Sequence, residues 1–111
     1  MLRATDFRRE HLSENDVKLL LIDACLDCEC DRNTIAYAVE DVDKFISSMK
    51  RGDVALWVLT YDYTNVFFGR VLDDKHAKSI RGINKYFGIK KVYRIERMTS
   101  DYNIVELKIN H

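Results

Sequence analysis

The chain has 111 residues, 47% of them hydrophobic and 32% charged, with eighteen cations balanced by eighteen anions. That composition supports one buried core, and the longest apolar run, residues 17–26, is broken by Lys18 and Asp23, well short of the roughly 20 residues a membrane-spanning helix needs. Three cysteines within six residues, no Asn-x-Ser/Thr sequon and an N-terminus without an apolar core argue against a disulfide framework and a secretory leader, so a cytoplasmic location is expected.

The first predicted element is a helix over residues 13–27, capped by Ser13, with Val17, Leu20, Leu21, Ala24 and Cys28 recurring at helical spacing. Residues 34–39 alternate Ile35, Tyr37 and Val39 with Thr34, Ala36 and Ala38, which predicts a short strand, with a helix as the other reading. From Asp41, which caps it, the pattern is helical to Arg51, placing Val42, Phe45, Ile46 and Met49 on one face and ending at Gly52. Residues 54–61 are nearly all apolar and rich in β-formers, predicting a strand covered on both faces, paired as a hairpin with residues 66–72. Asp73 or Asp74 then caps a helix with Ala77, Ile80, Ile83, Asn84 and Phe87 inward and Lys75, Lys78, Arg81 and Lys85 outward, ended by Gly88. Residues 91–97 and 103–109 form a last strand pair, with Val105, Leu107 and Ile109 facing the core.

With no proline and four glycines, the chain offers no linker, and residues 1–111 are expected to form one domain. The element order predicts an α+β sandwich with a ferredoxin-like βαββαβ core over residues 34–97, an added N-terminal helix and C-terminal strand, and helices on one face of an antiparallel sheet. If residues 34–39 are helical, the result is instead an α+β protein with helices on a four-stranded antiparallel sheet. The segment 65–71 lacks the order of the RNA-recognition signature, so that relationship is not inferred.

Charge is segregated along the chain. Residues 1–53 carry eight cations and twelve anions, residues 54–111 ten cations and six anions, and eight of the cations lie in residues 75–97 with Glu96 as their one carboxylate. These are Lys75, Lys78, Arg81, Lys85, Lys90, Lys91, Arg94 and Arg97, enough to neutralise several phosphates; Tyr86, Phe87 and Tyr93 lie among them and would stack on bases if exposed. Because a helix surface and a strand divide this run, it is expected to form two smaller basic patches.

Cys25, Cys28 and Cys30 have a suggestive spacing for zinc with His76 or His11, but the second paired knuckle of a structural site is missing, and small core residues are the simpler reading. Asp73, Asp74 and His76 at a helix start, or Asp62 in a turn, could serve acid–base chemistry; capping and turn formation explain the same aspartates. No phosphate loop, nucleophile elbow or His-Glu-x-x-His pair occurs. Gly82 inside a helix is unfavourable and suggests a close approach to the backbone by the sheet, the first helix or a partner.

The expectation is a small non-enzymatic binding protein, without cofactor or metal, that docks by charge on a larger protein or protein–nucleic-acid complex as an inhibitor, immunity or regulatory factor. Tyr61, Tyr63 and Tyr102, near predicted turns, are its expected aromatic anchors. Direct nucleic-acid binding through the eight cations is the alternative, a small nuclease or nucleotide-processing enzyme the second alternative, and a homodimer through opposite charges is permitted.

Overall fold

A computed structural model describes residues 2–27, 32–60, 64–68 and 74–109. They form β1 (Leu2–Leu12), α1 (Glu14–Asp27), α2 (Arg32–Ser48), β2 (Val54–Thr60), β3 (Thr64–Phe68), α3 (Asp74–Phe87), β4 (Ile89–Arg97) and β5 (Tyr102–Ile109). The five strands make one antiparallel sheet in the order β1-β5-β4-β2-β3. Among the described residues no helix is long and apolar enough to cross a membrane.

Local chemistry explains most of these boundaries. The Ser13 hydroxyl accepts the Asp16 amide at 3.1 Å and starts α1, where Glu14 and Asp16 favour the positive end of the helix. Gly88, at φ 70°, takes the left-handed conformation that ends α3, and its amide donates to the Asn84 carbonyl at 3.2 Å. Gly52, at φ 85°, makes the turn between α2 and β2, donating its amide to the Arg97 carbonyl at 2.9 Å.

Three expectations are corrected. Residues 34–39 are helical, part of α2, so the βαββαβ order over residues 34–97 does not form. Neither proline nor glycine separates Val39 from Asp41, Ala36 and Ala38 favour helix, and Glu40 pairs with Lys44 across one turn at 2.9 Å, so Asp41 is interior to α2 rather than its cap. The helix also stops at Ser48, ahead of the expected Arg51. An eleven-residue strand, β1, precedes α1 and pairs with β5, giving the sheet five strands rather than four.

The third correction concerns the layers. Helices cover both faces of the sheet. On one face Ala55, Trp57, Leu59, Tyr93, Ile95, Tyr102 and Ile104 pack with Val17, Leu21, Ala24 and Cys25 of α1 and Val42, Phe45 and Ile46 of α2. On the other, Leu56, Val58, Val92 and Leu107 pack with Ile80 of α3. Alternation along β2 feeds both clusters, as a strand buried on both faces requires. β5 does likewise: Leu107 faces α3, while Tyr102 and Ile104 face α1 and α2.

Two strands are irregular. In β1 the pairing with β5 shifts between Ala4 and Arg8 and again between Arg9 and Leu12, where His11 has φ 58°. The His11 ring is held by Asp101 at 2.6 Å, and its amide by the Asn103 side chain at 3.1 Å, tying the edge strand to the start of β5. In β4, Leu59 pairs with Lys91 but Thr60 pairs with Ile89, so Lys90 is an extra residue.

Candidate functional site

The charge segregation of the sequence becomes a difference between layers. In α1 there are four carboxylates and one lysine; in α3 there are four cations, Lys75, Lys78, Arg81 and Lys85, and one carboxylate, Asp74. These helices lie on opposite faces of the sheet. Lys18, the lysine of α1, is absorbed internally: its ammonium meets Asp43 of α2 at 2.8 Å and Ser47 at 3.1 Å, and that bond to Asp43 holds its pKa above the usual lysine value. The outer surface of α1 thus keeps exposed Asp16, Asp23 and Asp27.

On α3, Lys78, Arg81 and Lys85 are exposed as expected, and Lys75 lies in its first turn. Tyr86 is 76% exposed and Phe87 52%, so the expectation that Phe87 faces inward is corrected. Phase alone would align Phe87 with Ile80, but Phe87 is the last helical residue and the chain reverses at Gly88. The Lys85 ammonium stands 5.7 Å from the centre of the Tyr86 ring, close enough for a cation–π contact. Tyr93, by contrast, is buried beside Trp57.

Where α3 ends, a cleft of about 280 Å³ opens, lined by Asn84 of α3, Ile89, Lys90, Lys91 and Val92 of β4, and Glu106, Leu107 and Lys108 of β5. Strict alternation would send Lys90 and Lys91 to opposite faces. The bulge at Lys90 interrupts that alternation, and Lys91, paired with Leu59, lies on the face of the sheet that carries α1 and α2, opposite α3. Lys108 was not singled out from the sequence. It becomes a neighbour only through register, since Val92 pairs with Leu107 and the next step along both strands brings Lys91 towards Lys108.

The remaining candidates separate. Arg94 lies opposite Leu56 and Val105 on the face that carries α3, with its guanidinium 3.5 Å from Glu96. Arg97 serves the fold: its guanidinium donates to the Met49 carbonyl and lies 5.9 Å over the Tyr102 ring, while its backbone pairs with Gly52 and Asp53. Its Nε is buried without a hydrogen-bond partner among the described residues. Tyr102 is 2% exposed, so its ring offers no surface to a partner. The turn position predicted from polar neighbours is real, but β5 begins at Tyr102 and directs it into the larger core, where burial pushes its phenol pKa up.

Tyr61, Asp62, Tyr63, Asp73, Cys28 and Cys30 lie outside the described residues. Asp74 and His76 are in the first turn of α3. Cys25 is a buried member of the larger core. Among the described residues no cluster of three or more His, Cys, Asp or Glu side chains is placed to hold a metal ion. Gly82 has no described atom within 4 Å of where a Cβ would stand, so neither the sheet nor α1 approaches it.

Comparison with known proteins finds no match: no family model, no curated protein and no solved structure resembles the chain.

Proposed function

We propose that this chain is a small non-enzymatic binding protein that docks through the outer face of α3 on an anionic macromolecular partner. One observation carries the reading: Lys78, Arg81 and Lys85 are exposed on a helix whose opposite number across the sheet, α1, exposes Asp16, Asp23 and Asp27. A protein of zero net charge with such layers presents one face to an anion and repels it from the other, which orients encounter before contact. Exposed Tyr86 and Phe87 at the end of the same helix supply the aromatic contact area that charge alone lacks.

The test is retention on a polyanion matrix at low salt. The wild-type chain is expected to bind and to elute as salt rises, and the Lys78→Glu, Arg81→Glu, Lys85→Glu variant to pass through unretained. A variant with Asp16, Asp23 and Asp27 changed to Asn controls for net charge and should be retained at least as strongly as wild type. Equal retention of the wild type and the α3 variant would sink the reading.

A further inference from the structure

We infer that β3 is a dimerisation edge: it pairs antiparallel with β3 of a second copy of this chain, about a two-fold axis at Val66, and the two sheets become one of ten strands. This edge is separate from the outer face of α3, so the inference does not rest on the function proposed above.

The sheet ends in two strands, β1 and β3, and the two ends are built differently. β1 carries the devices that keep an edge from accepting another strand. Arg3, Asp6, Arg8, Arg9 and Glu10 put charge along it, Arg8 and Glu10 pair at 2.9 Å, and its register shifts twice. None of these devices is present in β3. Its sequence, Thr-Asn-Val-Phe-Phe, has no charge and no proline, and its pairing with β2 runs from Ala55 and Phe68 to Leu59 and Thr64 without a shift. Phe68 packs edge to face on Phe45 of α2, with ring centres 5.4 Å apart, yet stays 47% exposed while Phe45 is buried. α2 thus covers one side of that ring, and a strand added beyond β3 would cover more of it.

Backbone groups along an edge are met by an extended strand, and all four strand pairings in this sheet are antiparallel. A neutral strand gives a charged peptide no electrostatic reason to choose it. What it fits is another neutral apolar strand, and β3 is itself one. Antiparallel pairing with its own copy is self-complementary: Val66 lies opposite Val66, Thr64 opposite Phe68 of the partner subunit, and all five residues are used. The two-fold axis stands perpendicular to the sheet, so like faces join, both α1 and α2 layers on one side and both α3 helices on the other. Charge does not oppose this. Ile80 of α3 packs over β2, β4 and β5, and the two copies of β4 would stand five strand spacings apart. That is about 24 Å, at about 4.8 Å per spacing, against a screening length of roughly 8 Å at physiological salt. The dimer then shows Lys78, Arg81 and Lys85 twice on one side.

Sedimentation equilibrium over a concentration series tests the inference, run at high salt so that contacts between charged faces are screened. The wild-type chain is expected to pass from monomer to dimer and no further. Hydrogen exchange locates the contact: β3 amides should exchange more slowly in a concentrated sample than in a dilute one, while β1 amides exchange alike in both. Phe68→Lys puts a charge on the edge twice per dimer and should weaken dimerisation roughly ten-fold. A monomer at every concentration, growth beyond the dimer, protection gained in β1 or absent from β3, or equal dimerisation of the variant would each overturn the inference. The exchange comparison uses the wild-type chain, so it decides even where the substitution disturbs packing against Phe45.

Discussion

The two faces of the sheet are built to different standards. Among the described residues, the face under α1 and α2 gathers fifteen buried residues into one cluster, including Trp57, Tyr93 and Tyr102, whereas the face under α3 gathers five, with Ile80 as the α3 member. Buried apolar area is the main source of stability, at roughly 25 cal/mol per Å², so the acidic layer holds the fold together and the basic layer is attached to it. A lightly anchored helix keeps its charged and aromatic residues at the surface. Stability and the proposed binding are thus assigned to opposite sides of one sheet, and each can be altered with little effect on the other.

The sharpest way to break that division is to cut into the larger cluster. Trp57→Ala should cost about 3–5 kcal/mol, a large share of the roughly 5–15 kcal/mol that holds a domain folded. The check is the urea midpoint. A loss below about 1 kcal/mol would show that the α1–α2 face is not the main core.

Ile80→Ala should cost less, about 2 kcal/mol at the low end for such truncations, because few buried neighbours surround it. Its effect should be local. Hydrogen exchange is expected to speed up along α3 while α1 and α2 keep their protection, and an equal loss of protection in all three helices would unite the layers that we separate.

Gly82→Ala should stabilise the chain by about 1 kcal/mol, since alanine favours the helix and its Cβ meets open space. Thermal unfolding measures that gain, and a lower melting temperature would refute it. Retention of the same variant on the polyanion matrix tells whether a partner needs the bare backbone there.

The smallest effect concerns the edge. The hydrogen bond that the His11 ring donates to the Asp101 carboxylate raises the His11 pKa above the usual value near 6.5, so this contact favours the folded state below that value and is lost as pH rises through the raised one. Thermal unfolding across that window should show a small decline that His11→Gln removes. A wild-type profile identical to the variant's would show that the Asp101 contact adds nothing to the pairing of β1 with β5 and the Asn103 contact.

How far the sequence disclosed this arrangement depends on whether neighbours in the chain or neighbours in space decide the outcome. Ser13, the apolar stretch of β2 and Gly88 announce their elements because capping, two-sided burial and positive φ act within a few residues. β1 was hidden because it has two register shifts and mixes Arg, Asp and Glu with its apolar residues, which erases the alternation a strand needs to be recognised. Residues 34–39 misled because alternating β-branched and aromatic residues look like a strand, while the helix that follows them extends backward through two alanines. The lysine cleft was half legible. Lys90 and Lys91 stood out by charge, but the neighbourhood of Lys91 and Lys108 depends on a register that only the paired strands define.

Placing opposite charges on opposite faces also constrains how copies of this chain can meet. A two-fold pair buries the same patch of both partners, so it cannot set the α3 face of each against the α1 face of the other when those faces look in opposite directions. Contact between unlike faces would proceed head to tail, leaving an unsatisfied acidic surface at one end and a basic one at the other, ready for the next copy. Attraction of this kind makes rows rather than dimers, grows with concentration and dissolves in salt. An occupant on α3 would end each row at its first member.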